Sequence, residues 1–124
     1  MSVKENPFPD KQYKDSKFTR ADMKRTHFEG VDLTDSRFWA VLINALFKDC
    51  NMASAVFDDV NLTYAIYENV NLSGSRFHNI NLSGATFEYL NMSEVDINNA
   101  NLEGMKINGI LVTDLIEAYE RANG

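Results

Sequence analysis

The stretch VNLSGSRFHNINLSGATFEYLNMSE, residues 70–94, places a large apolar residue at every fifth position. These residues are Leu72, Phe77, Leu82, Phe87 and Met92. A half-buried β-strand would alternate with a period of two, and an amphipathic helix would repeat near a period of 3.6. Neither element accounts for a period of five, so the fold has to be sought in a repeat.

The five-residue period extends over most of the chain, which makes it an internal repeat. The later repeat centres are Leu42, Phe47, Met52, Phe57, Leu62, Tyr67, Leu72, Phe77, Leu82, Phe87, Met92, Ile97, Leu102, Ile107 and Val112. An earlier run, one residue out of phase, has the centres Phe18, Met23, Phe28, Leu33 and Phe38. The two phases meet at SRFW (36–39), which is a unit of four residues and the one irregularity in the repeat.

The residue two positions before a centre is usually small or β-branched, as at Ala45, Cys50, Ala55, Val60, Ala65 and Ala85. Units such as VNLSG (70–74), INLSG (80–84) and ANLEG (100–104) resemble the A(D/N)LXX units of the pentapeptide-repeat family, and the resemblance covers roughly residues 16–112. It implies an all-β solenoid, a right-handed quadrilateral parallel β-helix of about five coils. Four units would form one square coil, with both residue types pointing inward.

The sequence offers its own test of this square, because every fourth centre should then stack on one face. The first face contains Phe18, Phe38, Phe57, Phe77 and Ile97, and the third contains Phe28, Phe47, Tyr67, Phe87 and Ile107. The second contains Met23, Leu42, Leu62, Leu82 and Leu102, and the fourth contains Leu33, Met52, Leu72, Met92 and Val112. Aromatic and aliphatic columns separate, which favours rings stacking along the axis.

Both ends of such a solenoid need covering, since they otherwise expose core and unpaired strand edges. We expect an N-terminal cap segment (1–15), in which Phe8 and Tyr13 cover the first coil, then the β-helix (16–112). A short C-terminal capping α-helix (113–124) should follow, with Asp114 as its N-cap and Leu115, Ile116 and Tyr119 on one apolar face. Together these segments form a single domain.

Asp or Asn precedes most centres of the second and fourth faces, and we expect these side chains to form hydrogen-bonded ladders between coils. The members on the second face are Asp22, Asn61, Asn81 and Asn101, and those on the fourth are Asp32, Asn51, Asn71 and Asn91. Ser and Gly follow at the corners, where tight turns need small residues. We interpret these rows as structural.

Composition and charge exclude several classes of protein. Apolar residues make up 44% of 124, as in an ordinary globular domain, and no run approaches the ~20 apolar residues of a membrane span. The N-terminus has no apolar run of a secretory signal, and the single Cys50 suits a cytoplasmic location. Residues 1–29 carry seven Lys and Arg against five Asp and Glu, a net of +2, and the remainder carries five against thirteen, a net of −8. The acidic body disfavours direct nucleic-acid binding.

Candidate catalytic and metal-binding residues are few. Asp58 and His78 should be neighbours in adjacent coils, and without a positioned nucleophile we interpret them as a cross-strand ion pair. Glu68 and Glu88 should stack above Lys48 on an open wall, where no cleft prepares a carboxylate pair for acid–base catalysis. His27 and His78 fall on different faces, and Cys50 points inward. We therefore predict no catalytic residue, no metal, no cofactor and no enzymatic activity.

Two functions are consistent with this chemistry. The first is a rigid protein-interaction or scaffold module whose protein partner is unknown. The second comes from the resemblance, because some pentapeptide-repeat proteins are DNA mimics that bind DNA gyrase and protect it from inhibitors such as quinolones. A duplex as long as five coils at ~4.8 Å would carry roughly 14 negative charges. This chain has a net charge of −6, so the interaction role is favoured.

Two surfaces are candidates for binding. An apolar patch is predicted around the four-residue unit, where the register turns large apolar side chains outward: Trp39, Val41, Ile43, Leu46, Val56, Tyr64 and Ile66. It would bind another protein or a second copy. Alternatively, the N-terminal segment would cover it, or the missing residue would rotate Trp39 inward. The C-terminal helix is a second route to a homodimer. An acidic surface is predicted at Asp58, Asp59, Glu68, Glu88, Glu94 and Asp96, opposite a basic first end.

Overall fold

The computed structural model describes residues 15–123. In this part of the chain, the first face of a square solenoid is a five-stranded parallel sheet. Its strands are β1 (Lys17–Asp22), β3 (Arg37–Val41), β5 (Val56–Asp58), β7 (Arg76–Asn81) and β9 (Asp96–Asn101). The opposite face is a six-stranded sheet of β2 (His27–Glu29), β4 (Leu46–Lys48), β6 (Ile66–Glu68), β8 (Thr86–Glu88), β10 (Lys106–Ile107) and β11 (Ile110–Leu111). The second and fourth faces are held by single parallel bridges, such as Asn61 with Asn81.

The register confirms the predicted β-solenoid and its stacked columns. Phe18 pairs with Phe38, Phe38 with Phe57 and Phe57 with Phe77, so the aromatic column continues past the four-residue unit. Rings within a column stack at centroid distances such as 4.7 Å for Phe38 and Phe57. Rings of the first and third faces meet edge to face, for example Phe47 and Phe57 at 6.3 Å. These are favourable aromatic geometries, so the core is both buried and ordered.

The four-residue unit has a simple structural cause. From Phe18 to Leu102, all repeats except the four-residue unit end with a corner residue, two positions after the centre, whose φ lies between 54° and 71°. After Phe38 this corner residue is absent, and Trp39 is followed directly by the inward-facing Ala40. The coil below accommodates the deletion, because the pairing of β1 with β3 skips Arg20 between Thr19 and Ala21. One corner is therefore shortened while the core columns stay aligned.

The Asp and Asn rows are used differently from the expected ladders. In residues 15–123 their Oδ1 atoms accept hydrogen bonds from the backbone amide two residues later, as Asn61 does from Thr63 at 3.1 Å and Asn81 from Ser83 at 3.0 Å. Such Asx bonds stabilise the bend within one repeat instead of joining neighbouring coils. Side-chain bonds between coils occur elsewhere, for example at a corner where Asn69 Nδ2 donates to Asp49 Oδ1 at 2.8 Å.

The chain ends in α1 (Val112–Asn123), which packs against β11. The helix begins at Val112, so Asp114 lies in the first turn and the prediction that it is the N-cap was wrong. Leu115, Ile116 and Tyr119 are exposed, which means that the apolar face of the helix does not cover the last coil. Phe8 and Tyr13, the predicted N-terminal cap residues, lie outside the described residues. No helix within residues 15–123 has the length and hydropathy needed to cross a lipid bilayer.

Candidate interaction surface

Trp39 lies at the shortened corner, between the first and second faces. Its side chain is exposed, with 42% of its surface accessible. The guanidinium of Arg20, from the coil below, lies 5.1 Å from the centre of the indole ring. From the coil above, Asp59 Oδ2 accepts a hydrogen bond from the indole Nε1 at 3.2 Å. A cation–π contact and a hydrogen bond to a carboxylate thus fix the orientation of an exposed tryptophan.

A shallow groove of about 620 Å³ runs along this corner. Its lining residues include Arg20, Asp22, Lys24, Trp39, Val41, Asp59 and Asn61. Both charge signs are present, and Lys24 Nζ lies 3.6 Å from Asp22 Oδ2. The groove therefore offers a tryptophan and an arginine, two residue types enriched at protein interfaces, beside the carboxylates of Asp22 and Asp59.

Val41 interrupts the row of Asp and Asn on the second face. It pairs with Asp22 below and with Asn61 above, so it occupies a position where the neighbouring coils have an Asx acceptor. Asp22 Oδ1 accepts a hydrogen bond from the Lys24 backbone amide, and Asn61 Oδ1 accepts one from the Thr63 amide. A valine side chain has no such acceptor to offer the Ile43 amide. Val41 and Ile43 are both half-buried and point outward from this coil. At this one coil the usual structural side chain is replaced by apolar surface.

A second apolar cluster lies across the next corner, between the second and third faces. Leu46 pairs with Ile66 on the third face, and Ile66 has 44% of its surface exposed. Tyr64 occupies the corner itself at φ 58°, with 60% of its surface exposed. Its ring lies over Gly84, where an added Cβ would come within 2.5 Å of Tyr64 Cδ1 and Cε1. Gly84 therefore provides the space in which the tyrosine ring lies flat on the wall.

Val56 is placed apart from these two clusters. It pairs with Arg37 and with Arg76 on the first face, in the row that precedes the Phe57 column. Trp39 belongs to the row that follows this column, where it pairs with Thr19. Of the seven predicted patch residues, the structure thus brings six around two adjoining corners, and the seventh lies between arginines.

The predicted acidic residues are divided among several faces. Asp58 and Asp96 lie on the first face and Glu68 and Glu88 on the third, while Asp59 and Glu94 occupy corners. Several have close polar partners: Asp58 Oδ1 lies 3.2 Å from His78 Nδ1, and Asp96 Oδ1 accepts from Asn98 Nδ2 at 2.9 Å. Glu68 is paired in register with both Lys48 and Glu88, as predicted.

The buried polar groups of the core are structural. The Cys50 thiol donates to the carbonyl oxygens of Phe28 and Lys48, at 3.1 and 3.3 Å, and burial raises its pKa. Burial also raises the pKa of the Tyr67 phenol, well above its usual range. Within the described residues 15–123, Tyr67 Oη and Ser75 Oγ are buried without a hydrogen-bond partner. Among residues 15–123 no group of three or more His, Cys, Asp or Glu side chains is arranged to hold a metal ion.

A comparison with protein-family models matches the family described as Pentapeptide repeats, with eight copies, over residues 14–41, 38–66 and 68–104. The matches cover most of the chain, and the square coils and inward centres agree with them. The chain belongs to the pentapeptide-repeat family. Comparison with curated proteins gives no significant match.

Comparison with solved structures finds one protein that shares the fold and others that are less similar. A pentapeptide-repeat protein from the thylakoid lumen of Arabidopsis thaliana is 23% identical, with a TM-score of 0.61 over 87% of this chain and 72% of that one. QnrB1, a plasmid-mediated fluoroquinolone resistance protein, is 18% identical, with a TM-score of 0.45 over 86% of both chains. Rfr23 from the cyanobacterium Cyanothece 51142 is 20% identical, with a TM-score of 0.34 over 78% of this chain and 84% of that one.

Sequence reasoning identified Trp39 and missed the residues that hold it. Arg20 falls within the basic first end and Asp59 within the acidic surface, and neither was predicted to contact Trp39. The signal was present in the repeat, since Arg20 and Asp59 are corner residues in the coils on either side of the missing corner residue. A side chain at that gap can contact both neighbours, and Trp39 does so.

Proposed function

We propose that this pentapeptide-repeat protein is a non-catalytic, rigid protein-interaction module that binds its partner through the apolar surface at two adjoining corners. The observation that carries the proposal is the exposed Trp39, fixed between Arg20 and Asp59 on a wall whose other outward positions are mainly polar. Tryptophan beside arginine is a frequent combination at the centres of protein interfaces. A preorganised tryptophan also loses little conformational entropy on binding.

The remaining features of the wall favour binding over catalysis. The groove is shallow and open, and its carboxylates already interact with Lys24, Trp39 and Asn79. A general acid or base needs a desolvated site in reach of a substrate, and an exposed wall does not provide one. A cytoplasmic location stays a prediction from the single cysteine.

The proposal is tested by affinity capture from the source organism with three immobilised proteins. These are the wild type, a patch variant with Ile66→Thr and Leu46→Thr, and a control with Val56→Asn. Thr86 already occupies the same row as Leu46 and Ile66, so threonine is compatible with the fold there. We expect the wild type and the control to retain a protein that the patch variant does not retain. Equal retention by all three proteins would contradict binding through this surface.

A further inference from the structure

We propose that the second face binds a second copy of this chain, in a parallel side-by-side homodimer whose two-fold axis runs along the solenoid. This inference rests on the interaction role proposed above. It identifies a second copy of the chain as the partner of the second face. The supporting observation is that the outward residues of the second face match one another in pairs within each coil.

The second face has two outward rows, one on each side of the inward-pointing centres. A two-fold axis parallel to the solenoid brings the preceding row of one copy opposite the following row of the other, at the same coil. Symmetric interfaces of this kind need a surface that is complementary to itself. The face must therefore be judged by the residues that immediately precede and follow each centre.

Three successive coils satisfy this requirement. In the first coil Asp22 precedes Met23 and Lys24 follows it, so each carboxylate would face the ammonium group of the other copy. In the second coil Val41 precedes Leu42 and Ile43 follows it, which places apolar side chains against each other twice. In the third coil Asn61 precedes Leu62 and Thr63 follows it, so that polar side chains face polar ones.

The corners of the third coil continue the same pattern. Asp59 lies at one edge of the second face and Tyr64 at the other, so the phenol of each copy would approach the carboxylate of its partner. Asp59 lines the groove beside Trp39, and Tyr64 is exposed at 60% of its surface. The exposed tyrosine of one copy thus meets the groove of the other, which gives a reason for both features.

An antiparallel arrangement fits these residues less well. A two-fold axis perpendicular to the solenoid reverses the coil order and keeps each row facing itself. If that axis passed through the second coil, Val41 would face Val41 and the basic first coil would face the third coil. The ion pairs between Asp22 of one copy and Lys24 of the other would not form. The charge pattern therefore selects the parallel arrangement.

The sharpest test replaces Val41 by asparagine, the residue found at the same position in later coils. Val41→Asn supplies the Ile43 amide with an Asx acceptor, so the fold should be kept or stabilised while the apolar contact is lost. In sedimentation velocity runs over a wide concentration range, we expect the wild type to dimerise. The dissociation constant of the variant dimer should be higher by a factor of about ten or more. Val56→Asn, the same change outside the second face, should leave the association unchanged.

The arrangement itself is tested by disulfide formation between variants that each carry one added cysteine. Under the parallel two-fold, Val41→Cys mixed with Ile43→Cys should give a cross-linked heterodimer, and each variant alone should give little. Cys50 is buried and common to all samples. Cross-linking of Val41→Cys to itself would overturn the parallel arrangement. A monomeric wild type at every concentration, or equal dimerisation of Val41→Asn, would overturn the homodimer, and the capture experiment would still test the wider interaction role.

Discussion

The Trp39 indole Nε1 donates a hydrogen bond to Asp59 Oδ2 over 3.2 Å, across the corner that lacks its left-handed residue. Asp59 is itself the corner residue of the next coil, at φ 57°, and its other oxygen accepts from Asn79 Nδ2 at 3.2 Å. The deletion of one residue thus brings a tryptophan into a polar column of the surface. Because this contact depends on the Asp59 carboxylate, a substitution of Asp59 tests it directly.

Asp59→Ala should release Trp39, the single tryptophan of the chain, from its acceptor. We expect a shift in fluorescence emission, greater access to a soluble quencher, and a loss of about 0.5–1.5 kcal/mol in the free energy of unfolding at most, since the bond is exposed. Asp58→Ala is the control, because that carboxylate meets His78 instead. Identical emission spectra for the two variants would contradict the contact.

Phe77→Ala should be strongly destabilising, because Phe77 is fully buried and stacks on Phe57 at 4.6 Å. A cavity between fixed neighbours costs about 3–5 kcal/mol for a phenylalanine. Phe28→Ala, in the first coil, should cost less, because Phe28 is only partly buried. Denaturant unfolding measures both values. An unchanged midpoint for Phe77→Ala would show that the column does not carry the stability of the core.

The columns could be predicted from sequence, whereas the contacts of the surface could not. Phe38, Phe57 and Phe77 were found because the repeat spacing alone decides which centres stack. The partners of Trp39 depend on a local deletion, which changes how an outward side chain leans, and spacing carries no such information. Asp114 is a good N-cap residue, yet the helix begins at Val112, where Val112 packs on the core and its amide bonds to Met105. Tertiary packing decided that boundary.

Tyr67→Phe should leave the protein as stable as the wild type or more stable, by about 1 kcal/mol. The Tyr67 hydroxyl is fully buried and has no hydrogen-bond partner in the part of the chain that the structure describes, so its removal relieves a desolvation cost. Chemical denaturation near neutral pH is the measurement. A large loss of stability would show that the hydroxyl has a partner, such as a bound water molecule.

The same variant should also change the alkaline response. Burial raises the pKa of the Tyr67 phenol, so the folded state keeps the proton that the unfolded chain releases near its ordinary pKa of about 10. Above that pH the wild type binds more protons when folded than when unfolded, and its stability falls as pH rises. Tyr67→Phe has no phenol to titrate, so its stability should fall less than that of the wild type. The difference in stability should therefore grow between about pH 10 and 11, just above the ordinary tyrosine pKa.

Gly84→Ala should displace the Tyr64 ring, because the added Cβ would overlap ring carbons at 2.5 Å. Gly74→Ala is the matched control, since both glycines have φ 69° and the nearest atom to a Cβ at 74 is Ser54 Oγ at 3.4 Å. Both variants lose stability through left-handed backbone strain, about 1 kcal/mol each. The additional loss at Gly84 should disappear in a Tyr64→Ala background. An equal cost at the two sites in the wild-type background would argue against the ring contact.

DNA gyrase supercoiling should be unaffected by this protein at low micromolar concentration, with or without a quinolone. A DNA mimic needs a continuous negative face, whereas the carboxylates here are spread over several faces and the second face carries neutral Asn61, Asn81 and Asn101 along one row. The double variant with Asp58→Asn and Asp59→Asn tests the role of charge in this assay. It removes two carboxylates, while asparagine at 59 still offers an oxygen to Trp39. Inhibition by the wild type that this double variant abolishes would make DNA mimicry the better account of the acidic residues and displace the interaction role proposed above.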